Sequence, residues 1–60
     1  MTLKEARKRA RLTQTELGEK LGVTQRTVSG WETGARQPDR RTIIAICKIT
    51  KTKEKDLILP

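Results

Sequence analysis

The sequence has no histidine and a single cysteine, Cys47, among its 60 residues. One cysteine excludes a disulfide within the chain, and without histidine a zinc site has too few of its usual ligands. Cys47 lies among isoleucines in a helical run, which favours a small buried hydrophobic residue over a redox or metal role. We therefore predict neither a metal nor a cofactor.

Aromatic residues and long apolar runs are also scarce. Trp31 is the only aromatic residue, no apolar run reaches 18 residues, and no apolar signal segment follows Met1. The sequence also lacks the grouping of nucleophile, base or metal ligands that an enzyme needs. These absences predict a protein that is not an enzyme, has no membrane partner and no evident small-molecule ligand, and is cytoplasmic.

Positive charge is in excess. Fourteen basic residues against seven acidic ones give a net charge of +7 and a pI near 10.4, which favours a polyanionic partner. The length of 60 residues predicts one small domain, residues 1–60. A chain this short buries a small hydrophobic core, so its stability has little surplus. A protein that binds single-stranded RNA would be expected to carry stacking aromatics, which are missing here.

Residues 13–33 form the most informative stretch of the chain. Two helical patterns, Gln14–Leu21 and Gln25–Thr33, are joined by a three-residue turn that begins at Gly22. Glycine is favoured there because the residue after a helix often takes a left-handed conformation. The stretch therefore predicts two short helices joined by a tight turn.

Threonines begin both helices, and the second helix has two different faces. Thr13 with Glu16 forms a capping box, and Thr24 can cap the second helix. At about 100° per residue, Val28 and Trp31 share one face. The opposite face is small and polar and consists of Arg26, Ser29, Gly30 and Thr33. Such a face suits a helix that enters a groove.

The pattern resembles the helix-turn-helix of the XRE family, which includes the lambdoid phage repressors and Cro proteins. The residues that carry the resemblance are Gln14-x-x-Leu17-Gly18-x-x-Leu21-Gly22-Val23 and Val28-x-x-Trp31-Glu32-x-Gly34. It extends from about Leu3 to Ile58 and implies an all-α, compact five-helix, lambda-repressor-like domain. It also implies a bacterial or phage transcriptional regulator, which we expect to be a repressor that binds a palindromic double-stranded DNA operator as a homodimer.

The remaining elements follow from spacing and capping. Residues 2–11 predict a first helix, and Asp39 can cap a fourth helix over residues 40–50. A short fifth helix is expected over residues 53–59, docked through Leu57. Residues 50–53 depart from the family pattern at four successive positions, so the end of the fourth helix cannot be inferred from the resemblance.

The resemblance and the chemistry of the side chains together assign DNA contacts. The second helix of such a motif enters the major groove, where Gln25 can bond adenine and Arg26 guanine. The predicted base contacts are Gln25, Arg26, Ser29 and Gly30, the glycine allowing a close approach to DNA. The predicted phosphate contacts are Gln14, Thr15, Thr24, Thr27, Thr33, Arg36 and Arg40.

Arg7 and Glu32 match two family positions that pair with each other, so the resemblance implies a structural ion pair between them. The other basic residues near the N-terminus suggest either a DNA-binding arm or a solvated helix face, and we favour the solvated face. An alternative function is an antitoxin-like protein-interaction module. That function would require an exposed apolar patch, for which Ile44 and Ile49 are the only candidates.

Overall fold

The computed structural model describes all 60 residues and contains four α-helices and one short 3₁₀ turn. The elements in chain order are α1 (Leu3–Arg9), α2 (Gln14–Leu21), α3 (Gln25–Thr33), α4 (Arg40–Thr50) and the 3₁₀ turn Glu54–Asp56. The all-α class is confirmed. The bounds of α2, α3 and α4 are those that the sequence predicts, whereas α1 is shorter than expected. No helix is long and apolar enough to cross a membrane.

The first two helices begin with the capping boxes expected from the sequence. The Thr13 hydroxyl accepts from the Glu16 backbone N–H, and the Glu16 carboxylate accepts from the Thr13 N–H at 2.9 Å. Thr2 and Glu5 make the same pair of bonds at α1. The hydrogen bond from the Thr13 backbone holds the pKa of Glu16 below its usual value. These bonds satisfy backbone donors that a helix start leaves free.

The core lies where the four helices meet. Its buried apolar residues come from every helix, so no two helices could bury it alone. The central cluster consists of Leu3, Leu17, Val28, Trp31 and Ile46. Helices α2 and α3 contact each other most extensively.

The turn between α2 and α3 packs directly on Gly18. A Cβ at Gly18 would lie 2.7 Å from the Val23 carbonyl oxygen, and the Val23 N–H donates to the Gly18 carbonyl at 2.9 Å. Gly22 ends α2 in the left-handed conformation, with a φ of 73°. The group that lies closest to Gly18 is therefore the turn backbone that leads into α3, and a side chain at this position would displace it.

The prediction of a fifth helix over residues 53–59 is wrong. Only Glu54–Asp56 form a 3₁₀ turn, after which the chain extends and Thr2 pairs with Ile58 in an isolated parallel bridge. The Ile58 N–H donates to the Met1 carbonyl at 2.8 Å, a bond that a continuing helix would not allow. Leu57 and Leu59 still pack against the core, so the segment docks through apolar side chains without being helical.

The end of α4 is closed by a side chain from α1. Lys51 takes the left-handed position with a φ of 54°, and its N–H donates to the Cys47 carbonyl. Arg9 Nη2 donates to the Thr50 carbonyl at 3.3 Å, the Lys51 carbonyl at 3.0 Å and the Thr52 hydroxyl at 2.9 Å. A cation at a helix C-terminus is favourable because the carbonyls there carry partial negative charge.

The strained conformation of Lys51 leads to a stability prediction. A non-glycine residue in the left-handed region costs about 1–2 kcal/mol, part of which glycine offsets through its greater loss of backbone entropy. Lys51→Gly should therefore stabilise the fold by about 0.5–1 kcal/mol and raise its melting temperature. The control is Lys48→Gly, inside the same helix, which should destabilise by about 1 kcal/mol. Two variants that melt below the parent would show that Lys51 is not strained.

Candidate nucleic-acid interface

Helix α3 presents one face to the core and the other to solvent. Val28 and Trp31 are buried, while Arg26 and Thr33 are exposed. The outer face also contains Ser29 and Gly30, which are half-buried. The helix is therefore held by its inner face, and its polar face remains available to a partner.

A hydrogen-bonded chain of side chains connects the core to the first residue of α3. Arg7 Nε donates to Glu32 Oε2 at 2.7 Å, and Arg7 Nη2 donates to Glu32 Oε1 at 3.3 Å. Gln14 Nε2 donates to the same Glu32 Oε1 at 3.1 Å. Gln25 Nε2 then donates to Gln14 Oε1 at 2.5 Å. Four side chains from three helices are thereby linked, starting from an ion pair whose side chains are 8% and 7% exposed.

The chemistry of this chain fixes the orientation of both amides. A carboxylate held by arginine accepts hydrogen bonds only, so Gln14 must turn its NH2 group towards Glu32. Its oxygen then faces Gln25, which must in turn present its own NH2 group. Gln25 keeps its Oε1 and one N–H free, and these are the acceptor and donor that adenine N6 and N7 require. The sequence assigned separate roles to Gln14 and Gln25 and did not predict their bond.

Several threonines that the sequence assigned to phosphates use their hydroxyls within the protein. Thr24 caps α3 by accepting from the Thr27 N–H at 3.2 Å, and the two hydroxyls lie 3.1 Å apart. The Thr33 hydroxyl donates to the Gly30 carbonyl at 3.3 Å. Thr15 is exposed on α2. Because a hydroxyl has one proton, Thr33 must exchange this bond before it can donate to a phosphate.

The arginines are in different environments. Arg26 is exposed, and its side chain makes no ion pair or hydrogen bond within the protein. Arg40 Nη1 donates to Glu54 Oε2 at 2.9 Å, but both side chains are largely exposed, so this pair is weak and can open. Arg7 and Arg9 bond within the fold. These two side chains are therefore engaged within the fold, and the contact that Arg9 makes with the end of α4 was not predicted from the sequence.

Gly30 and Arg36 lie against each other. A Cβ built at Gly30 would lie 3.0 Å from Cγ and Cδ of Arg36, and the Arg36 backbone N–H donates to the Gly30 carbonyl at 3.1 Å. A glycine inside a helix costs about 1 kcal/mol relative to alanine. The loop after α3 thus folds back so that the arginine stem crosses the helix where a side chain is missing.

An open groove flanks this contact between α3 and the start of α4. It has a volume of about 510 Å³ and is lined by Thr27, Trp31, Arg36, Gln37, Pro38, Asp39 and Thr42. Asp39 caps α4 by accepting from the Thr42 N–H at 2.8 Å, and this bonding holds the pKa of Asp39 below its usual value. The groove is polar and has none of the enclosure typical of a small-molecule site.

The structure shows no site for a reactive thiol or a metal, and no apolar patch on α4. Cys47 is buried, and burial raises the pKa of its thiol. No three potential metal ligands of the histidine, cysteine or acidic type lie together. Ile44 is 39% exposed and Ile49 is packed against the core, so α4 presents one isolated isoleucine rather than a patch.

Comparisons with known proteins identify the family of the chain. The model of the helix-turn-helix family matches residues 3–57. A curated relative, the uncharacterised HTH-type transcriptional regulator YqaE of Bacillus subtilis (strain 168), is 43% identical over 47 residues. The match covers 78% of this chain and 40% of the relative, so the chain spans less than half the length of that protein. No solved structure matches the chain. With its capped α2–turn–α3 unit and a family match over nearly its whole length, the chain belongs to the XRE family of helix-turn-helix proteins.

Proposed function

We propose that this domain is a sequence-specific transcriptional regulator that binds double-stranded DNA through the major groove. The observation that carries the proposal is the arrangement of α3, whose inner face is buried and whose exposed end presents oriented hydrogen-bonding side chains. The net charge of +7 supports a polyanionic partner. The name of the Bacillus relative supports a role in transcription.

The base contacts lie at the start of α3, where the side chains of a recognition helix reach base edges first. Gln25 bonds adenine through the oxygen and the N–H that its bond to Gln14 leaves free. Arg26 has no partner within the protein and bonds guanine O6 and N7. Ser29, one turn further along, contacts a neighbouring base.

The phosphate contacts surround α3. Gln14 retains one free N–H after its bond to Glu32 and lies at the positive end of α2, which favours a phosphate. Arg40 binds a phosphate after it releases Glu54. The other proposed contacts are the hydroxyls of Thr15, Thr24, Thr27 and Thr33. Those of Thr24 and Thr27 share one bond, so one of their two protons remains available.

The domain acts as a homodimer on a palindromic operator, and it represses transcription by occupying that site. One recognition helix contacts too few bases for specificity, and two-fold related helices reach half-sites about 10 base pairs apart. Selection of bound duplexes from a random pool tests this function. We expect an inverted repeat with that spacing and two chains per duplex by sedimentation equilibrium. A single unrepeated site, or no enriched sequence, would contradict it.

Salt dependence gives a separate measure of the interface. With about six to eight phosphates neutralised per dimer, log K against log salt concentration should have a slope of about −5 to −7. The measurement is a fluorescence anisotropy titration of the selected operator at several salt concentrations. A slope near zero would show that the basic charge of the domain does not serve DNA binding.

A further inference from the structure

The stem of Arg36 lies on α3 at the position where Gly30 has no side chain. The three atoms nearest to a Cβ built at Gly30 are Cδ, Cγ and Cβ of Arg36, at 3.0, 3.0 and 3.3 Å. The bond from the Arg36 N–H to the Gly30 carbonyl holds the backbone of the loop against the same point. The glycine therefore makes room for a side chain that comes from outside the helix.

The backbone bond satisfies one of the last carbonyls of α3 and explains why the loop folds back, but it does not explain the missing side chain at Gly30 or the free guanidinium. Gly30 lies inside α3 and does not have the positive φ that requires glycine, unlike Gly22 and Gly34. The guanidinium of Arg36 makes no hydrogen bond or ion pair with the rest of the chain, and the residue is exposed. A stem that lies against α3 and carries an unbonded guanidinium leaves that group available to an external acceptor.

The position of Gly30 on α3 indicates what that acceptor is. Gly30 follows Arg26 by four residues, so both lie in one row along the outer face of the helix. A side chain in that row faces the groove, whereas phosphates lie beyond the ends and flanks of a recognition helix. In this row α3 itself supplies one long hydrogen-bonding side chain, that of Arg26. Because the loop folds back, Arg36 adds a second one at the position of Gly30.

We propose that Gly30 and Arg36 form one base-reading unit, in which the loop arginine takes the place of a helix side chain and bonds guanine O6 and N7. This inference rests on the proposed function and refines it. It replaces two assignments made from sequence position: the phosphate contact of Arg36, and the close approach of Gly30 to DNA, since Arg36 fills that space. The operator then contains a guanine in each half-site that depends on Arg36.

The first test compares two substitutions of Arg36 on the selected operator and a scrambled duplex. Arg36→Ala should reduce the preference for the operator about 5- to 150-fold and relax the selected sequence at one base pair per half-site. Arg36→Lys keeps the charge but cannot make the paired bonds, so it should retain binding to scrambled DNA and still lose the preference. Equal weakening of both duplexes by Arg36→Ala, with rescue by Arg36→Lys, would make Arg36 a phosphate contact and overturn the proposal.

The second test links the glycine to the arginine through a double-mutant cycle. Gly30→Ala and the larger Gly30→Val should displace the Arg36 stem and reduce operator preference, with valine having the greater effect. In the Arg36→Ala background, the same substitutions should change preference less than twofold. Melting curves of each variant confirm folding, and alanine should not lower the melting temperature because it favours the helix.

The outcomes separate this inference from the proposed function. If Gly30→Ala lowers affinity equally in both backgrounds, DNA itself approaches Gly30 and the unit does not exist. If the parent protein enriches no sequence at all, the proposed function fails. If the parent binds a selected operator and the cycle shows no coupling, only the present inference fails.

Discussion

Glu32→Gln is expected to unfold much of the protein at room temperature. The substitution leaves Arg7 charged and nearly buried without its carboxylate, since Arg7 donates two hydrogen bonds to Glu32. The new amide also brings an NH2 group towards donors on Arg7 and Gln14, where only an acceptor fits. Removing one partner of a buried pair costs about 3–5 kcal/mol.

That loss is large for a domain of this size. Sixty residues correspond to a total stability of about 3–9 kcal/mol, so the variant should melt far below the parent or be unfolded without heating. The control is Glu19→Gln, the same chemical change at an exposed glutamate with no ion pair, which should alter stability by less than about 0.5 kcal/mol. Urea denaturation followed by Trp31 fluorescence measures both. If the two variants unfold at the same urea concentration, the Arg7–Glu32 pair contributes little.

Arg26→Ala has the second large expected effect, on specificity rather than stability. Arg26 is exposed and unbonded at the start of α3, so its loss should not disturb the fold. A bidentate arginine–guanine contact discriminates by about 1–3 kcal/mol. We therefore expect weaker binding to the selected operator and relaxed preference at a G·C pair in each half-site, while binding to scrambled DNA changes much less.

Arg40→Ala is the matched comparison, because it removes an arginine proposed to bind only a phosphate. It should weaken operator and scrambled duplexes alike and make the salt slope shallower by about 1 per site lost. Both variants are titrated against both duplexes in one anisotropy assay. If Arg26→Ala weakens the two duplexes equally and Arg40→Ala affects the operator alone, the proposed roles are reversed.

The helices were predictable because their signals are local. Capping threonines at α2 and α3, the capping Asp39 at α4, the glycine after each helix of the motif and the apolar spacing all act within a few residues. They predicted the bounds of α2, α3 and α4. The prediction of a fifth helix was wrong because the conformation of this segment depends on a residue far away along the chain. The Ile58 N–H donates to the Met1 carbonyl, which holds the segment extended. The position of the end of α4 was predicted, but the way it is capped was not, since the side chain of Arg9 on α1 bonds the carbonyls there.

The candidate interface shows the same division. The sequence indicated which residues face outwards on α3, because a helical period places Arg26 and Ser29 opposite Val28 and Trp31. It did not indicate how those residues are oriented. The amide of Gln25 is fixed by a chain that begins at a buried ion pair on another helix, and no spacing rule predicts such a chain.

The sequence by itself determined the all-α class, the helix-turn-helix and which residues lie on the outer face of α3, because periodicity and capping are properties of neighbouring residues. The tertiary structure alone decided which side chains share that surface. Arg36 belongs to a loop in the sequence but lies on α3 in space, because Gly30 leaves room for its stem. Contacts between residues far apart along the chain require the packed core, which brings the elements to within bonding distance.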